Sequence, residues 1–237
     1  MSLSLAAIAS YLDSYLGSAR FPNDQSGIYH ASTCAIRRIG LAIEPWTEIG
    51  AWVRQERLDA LFLHRPWHLN IQELPDDVGV LAYHLAFDLT LTFGFNRRLA
   101  DALQMAYLFP FAFKDAVPLG MIGNISPTAL DTFVECLAET FGVSPVLEKK
   151  YTDTVSRIAV VGAMTDTLIR DAAAQEVQLY VTGQFRQPAR GAVQETGMAV
   201  AVIGHSVGEW WGLRALAGLL RERWAHLDVV VAPQELN

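Results

Sequence analysis

Apolar residues along this chain recur with two spacings, and the change from one to the other marks its elements. Residues 4–16, "SLAAIASYLDSYL", place apolar side chains at helical spacing and predict an amphipathic helix. "FPNDQSG" at 21–27 is turn chemistry, and "IYHASTCAIRRIGLAI" that follows predicts one or two strands. "TEIGAWVRQERL" reads as a helix with Thr47 as its N-cap. "LDALFLHRPW" (58–67) reads as a buried strand ending on His64, and a Pro/Asp turn comes at 75–77. "VGVLAYHLAF" (78–87) reads as a second buried strand, rich in β-branched and aromatic residues. "NRRLADALQMAYLF" (96–109) returns to helical spacing.

Residues 105–150 mix aromatics, Pro110, Pro118, Pro127 and glycines around one helix, "PTALDTFVECLAETF". From 156 onward strand and helix patterns alternate: "SRIAVVGA", "DTLIRDAAAQ", "VQLYVTG", "ARGAVQETG", "MAVAVIG", a helix to about 224, then "LDVVVA". That alternation predicts α/β architecture with mostly parallel sheets. The expected organisation is a first lobe at 1–107, a connecting segment at 108–150 and a second, similar lobe at 151–237. The alternative is that the last strand pairs back with the first lobe. Ligands in such sheets gather at the carboxyl ends of strands. His64, Asp88, Gly183 and His205 fall at or just beyond such ends.

Composition narrows the function classes. With 51% hydrophobic and 18% charged residues, the chain can bury a core and is not a disordered tail. Lys+Arg total 18 against 25 Asp+Glu, a net charge of −7, which argues against binding nucleic acid through a general basic surface. Cys34 and Cys136 lie far apart in apolar surroundings and read as reduced core residues, as in a cytoplasmic protein. The start lacks a basic leader, and no apolar run is long enough for a membrane helix.

Three short motifs carry candidate chemistry. In "GHSVGE" (204–209), His205 and Glu209 are four residues apart at the start of a helix and share a face. Imidazole and carboxylate suit a first-row divalent cation, although an acid in a first helical turn also favours the helix dipole alone. The same letters fit a G-x-S-x-G nucleophile elbow with Ser206 as the nucleophile. Against serine acyl transfer, only His226 follows Ser206 as a base.

"HRPW" (64–67), "YHLAFD" (83–88) and "GHSVGE", together with "PNDQSG", "RIAVVG" and "VQLYVTG" in that chain order, resemble the Nif-three-like dinuclear metal-centre family. Its members are also called GTP cyclohydrolase 1 type 2 homologues. The resemblance runs from the first helix to the last strand. It implies a metal-dependent hydrolase of two intertwined α/β lobes, a homo-oligomer (hexameric in the family) and a nucleotide or other small-molecule ligand such as GTP. Carried over by position, His64, Asp88, His205 and Glu209 are the implied ligands of a divalent zinc, iron or manganese ion. His84 matches a histidine four residues before the aspartate and reads either as a core residue or as a group orienting Asp88. The family's second histidine after the strand is here Arg65, which has no lone pair to offer. Arg65 is expected to stand in for one metal's charge by pairing with Asp88 or Glu209, so the ion count is two, one or none. His68 either replaces the missing ligand or is a loop residue. Gln184 and Gln187 in "TGQFRQP" replace a family acid and histidine, and residues 64–88 are too few for the family's usual helix there. These departures favour, as the alternative, a non-catalytic binding or regulatory member of the same fold.

Overall fold

The computed structural model describes residues 2–148 and 152–234. In chain order its elements are α1 (Leu5–Leu16), β1 (Ser26–His30), β2 (Arg38–Ala42), α2 (Ile49–Glu56), β3 (Ala60–Leu63), β4 (Gly79–Tyr83) and α3 (Leu85–Leu91). There follow α4 (Arg97–Ala102), β5 (Ala106–Lys114), β6 (Val117–Ala129), α5 (Leu130–Phe141), β7 (Val146–Glu148) and β8 (Thr154–Val161). The last elements are α6 (Asp166–Ala174), β9 (Leu179–Thr182), α7 (Arg190–Thr196), β10 (Ala199–Val202), α8 (His205–Arg223) and β11 (Asp228–Val231). The result is an α/β protein with two mixed sheets flanked by helices.

One compact unit comprises residues 1–87 with 212–237. Its sheet runs β1-β4-β3-β2-β11, with β1 antiparallel to β4 and the other pairings parallel. α1 forms where apolar positions 5, 8, 9, 12 and 16 make one buried stripe. The Ser4 hydroxyl accepts the Ala7 N–H at its start, and Gly17, at φ 65°, ends it in the left-handed region. α2 begins at Ile49, after Glu48 and two residues beyond the expected cap Thr47, with no side-chain cap at its start. β3 and β4 lie fully buried side by side, Leu61 opposite Val80. The segment between them holds only a three-residue 3-10 turn, Ile71–Glu73. β4 ends at Tyr83, and the strand pattern expected to reach Phe87 gives way to α3. Cys34, expected in the core, is exposed, and its thiol donates to Asp77 Oδ2 over 2.9 Å.

The other unit, residues 88–211, carries the sheet β5-β6-β8-β9-β10-β7. β8, β9 and β10 are parallel, while β5, β6 and β7 pair antiparallel with their neighbours. Residues 108–150, expected as a connection, here supply the long β5–β6 hairpin, α5 and β7. The expected boundary at 150/151 lies outside the described residues. The prolines that masked these strands sit where a ladder tolerates them. Pro110 lies on the outermost strand β5, and Pro127 falls in the irregularity between Asn124 and Thr128 where β6 pairs with β8. The helix expected to run to Phe109 stops at Ala102, because residues from Ala106 enter β5. Among the described residues no helix is long and apolar enough to cross a membrane.

Gly50 on α2 approaches the 3-10 turn so closely that an added Cβ would meet the backbone carbonyl of Glu73. Backbone yields less readily than a side chain, so Gly50→Ala should cost about 1–3 kcal/mol in urea unfolding. Gly191→Ala, on α7 with open space around it, should be neutral or stabilise by roughly 0.5–1 kcal/mol. Equal effects of the two substitutions would contradict this packing.

Candidate metal centre

His64 is the first residue past β3. Its backbone N–H still bonds the Ala42 carbonyl at 3.2 Å, so the ring is held in line with the sheet and is fully buried. On the neighbouring strand Tyr83 is the last residue of β4, and its carbonyl lies 3.0 Å from His64 Nδ1. A carbonyl can only accept, so Nδ1 carries the proton and the lone pair of the neutral ring sits on Nε2. The Tyr83 side chain anchors the same strand end from the other direction. Its hydroxyl lies 3.0 Å from the Ala9 carbonyl and 3.1 Å from Asp13 Oδ1. Burial, with the Asp13 carboxylate behind it, pushes that phenol far above its usual range, so it remains a neutral donor.

His84 occupies the junction between β4 and α3. Its Nδ1 lies 2.9 Å from Asp24 Oδ1, while Asp24 Oδ2 accepts the Leu85 N–H at 2.6 Å. The His84 N–H bonds the Gln25 carbonyl at 3.1 Å, so the 21–25 turn grips the junction through backbone and side chain together. A carboxylate behind Nδ1 fixes the tautomer and again leaves the lone pair on Nε2. The His64 and His84 ring centroids are 5.2 Å apart, and Phe87 closes one side at 4.9 Å from His64. Trp67, exposed in the turn after Pro66, sets its ring edge-on to His84 at 5.0 Å.

Asp88 lies one turn into α3, four residues after His84. His64, His84 and Asp88 each offer one ligand atom, and these atoms all lie within 4.8 Å of one another. Two imidazole nitrogens and one carboxylate oxygen suit zinc, iron or manganese, and three protein ligands leave room for water or substrate. The buried apolar wall of Phe62 and Phe87 beside His64 limits access of bulk water. This donor set fits a divalent cation.

The other residues singled out from sequence have their own surroundings. His205 opens α8, and its Nε2 lies 3.2 Å from Glu209 Oε1; the imidazole is 68% exposed and the carboxylate only 2%. Ser206 is exposed on the same first turn, after Gly204 at φ 110°. Arg65 Nε lies 3.4 Å from Glu44 Oε2, an acid that residue spacing did not point to. His68 is exposed in a turn and, with Trp46, Asn70 and Glu73, lines a cavity of about 370 Å³. Gln184 and Gln187 are exposed after β9. Asp24 was missed, since nothing near "PNDQSG" hints at a partner sixty residues away. The antiparallel register of β1 on β4, Ser26 opposite Tyr83, brings it to His84.

The family model for Duf34/NIF3 (NGG1p interacting factor 3) matches residues 5–237. A "GTP cyclohydrolase 1 type 2 homolog" of Pyrococcus abyssi is 25% identical, over 92% of this chain and 93% of its own. A protein of the same name from Pseudomonas aeruginosa is 23% identical, over 95% of each chain. Among solved structures, TTHA1606 from Thermus thermophilus superposes with a TM-score of 0.74 at 24% identity, covering 97% of this chain and 98% of that one. The Staphylococcus aureus hypothetical protein SA1388 gives 0.78 at 15% identity, covering 98% and 97%. At those identities the structures establish the fold alone.

The tautomers are directly measurable. In metal-free protein at mildly alkaline pH, nitrogen-correlated NMR of the imidazoles should show His64 and His84 protonated at Nδ1. Protonation of either ring at Nε2 would contradict the hydrogen bonds to Tyr83 and Asp24.

Proposed function

The chain belongs to the Duf34/NIF3 family, and from that premise we propose that it binds a single divalent cation through His64, His84 and Asp88 and acts as a metal-dependent hydrolase. The observation that carries the reading is the three-residue cluster, with ligand atoms inside 4.8 Å. A cation of the zinc, iron or manganese class held there would supply Lewis acidity and a water made acidic enough to attack at neutral pH. The residues do the rest. Nε2 of each histidine presents its lone pair because Tyr83 and Asp24 hold the opposite nitrogen. Asp88 contributes the negative charge that offsets part of the ion's. Trp67, half exposed against His84, offers a planar surface to an incoming ligand.

A single ion is proposed because Arg65 stands where the family resemblance places a further histidine, and a guanidinium cannot ligate. The same resemblance implies ligand roles for His205 and Glu209. GTP is the first substrate to try, since the curated relatives carry the name GTP cyclohydrolase 1 type 2 homolog. Self-association is part of the proposal too. It is supported by β5, the outermost strand of its sheet, where Tyr107, Phe109 and Phe113 are exposed. Such an edge invites pairing with a second copy.

Metal analysis of protein purified without chelators should give one equivalent per chain. His64→Ala, His84→Ala and Asp88→Ala should each abolish retention. Asp24→Asn should weaken affinity by roughly 10–100-fold through the loosened His84 ring. Two equivalents would defeat the single-ion reading, and unchanged metal in Asp88→Ala would remove the site. Metal retained without turnover of any nucleotide would favour the binding or regulatory alternative.

A further inference from the structure

The unit of residues 88–211 holds a cavity of about 620 Å³ with His205 in its wall. It opens at the carboxyl ends of β8, β9 and β10, where parallel sheets collect ligands, and its size suits a small organic molecule. Gly183 on its wall leaves the backbone bare, because an added Cβ would meet Phe93 and His205.

The polar lining is uneven in charge. Arg186 contributes a guanidinium that makes no ion pair or hydrogen bond among the described residues, while its backbone N–H is held by Met164 Sδ at 3.4 Å. Gln184, two residues before it, brings a neutral amide whose side chain is likewise uncommitted among the described residues. The Thr165 hydroxyl accepts the Leu168 N–H at 3.1 Å and keeps its own proton to donate. The acid in the wall, Asp166, is already engaged by Arg170 at 3.0 Å. An uncompensated cation flanked by two neutral donors is matched to an oxyanion, because the guanidinium fork fits two oxygens at once.

We propose that this cavity binds a phosphate group, free or carried on a small molecule, with Arg186 gripping two oxygens and Gln184 and Thr165 donating beside it. None of His64, His84 and Asp88 lines this cavity, although His205, to which the family resemblance gives a ligand role, stands in its wall. Arg186 and Gln184 are exposed, so their substitution should leave folding intact, which a melting curve checks.

The experiment is isothermal titration of chelator-treated protein, in buffer free of phosphate and sulfate, with inorganic phosphate and with ribose 5-phosphate. Binding of at least one is expected, and whichever binds more tightly identifies the source of the phosphate. Arg186→Ala should weaken it by about 10–100-fold, the range for hydrogen bonds to a charged group. Arg186→Lys should fall between, and Gln184→Glu should weaken binding by placing a carboxylate beside the guanidinium. No binding of either probe, or equal affinity in Arg186→Ala, overturns the proposal. Binding seen only when metal is restored would assign the phosphate to the metal and overturn it as well. Loss of the metal site by substitution at Asp88 should leave phosphate affinity unchanged, so the two readings fail separately.

Discussion

Two ring hydrogen bonds govern the chemistry of the first unit. His64 gives its Nδ1 proton to the Tyr83 carbonyl, and His84 gives its own to Asp24. Each acceptor is fixed by backbone rather than by a free side chain. Tyr83 is the last rung of a fully buried strand, and Asp24 also holds the Leu85 N–H where α3 begins. The rings are thus pinned in one tautomer and one orientation, and one ligand atom of each lies within 4.8 Å of an Asp88 oxygen. A metal ligand whose other nitrogen is already committed binds more firmly, because little rotational freedom is left to lose.

The sheet makes that arrangement possible. Parallel pairing of β3 with β4 brings their carboxyl ends level, so the residues just past each strand become neighbours. The short route between them, with its single 3-10 turn, puts Trp67 beside His84 instead of a covering helix. The antiparallel β1 then delivers the 21–25 turn to the same corner. Three segments distant in sequence meet because of strand order. A change of register by one residue would turn His64 to the opposite face and dissolve the cluster.

The strands leading to the site were legible in the sequence because they are short, apolar runs that stop at polar residues. "ALFL" before His64 and "VLAY" before His84 show this directly. Harder to see was that β4 ends four residues early. Nothing in "AYHLAF" marks the change, because the helix start is stabilised by Asp24 from another part of the chain. For the same reason His84 read as a core or orienting residue, and nothing local shows that its ring clusters with His64 and Asp88. The β5–β6 hairpin escaped detection because Pro110, Pro118 and Pro127 are strand breakers by local rules. Edge position and an irregularity in pairing make Pro110 and Pro127 harmless, and neither is visible without the sheet.

The proposed metal centre holds one ion, between His64, His84 and Asp88. An anomalous-difference map recorded at the absorption edge of the metal carried by the purified protein tests it most directly. One peak is expected, about 2.0–2.2 Å from His64 Nε2, His84 Nε2 and an Asp88 carboxylate oxygen. A map with no density among those three atoms, or with the ion on the Nδ1 side of either ring, would contradict it.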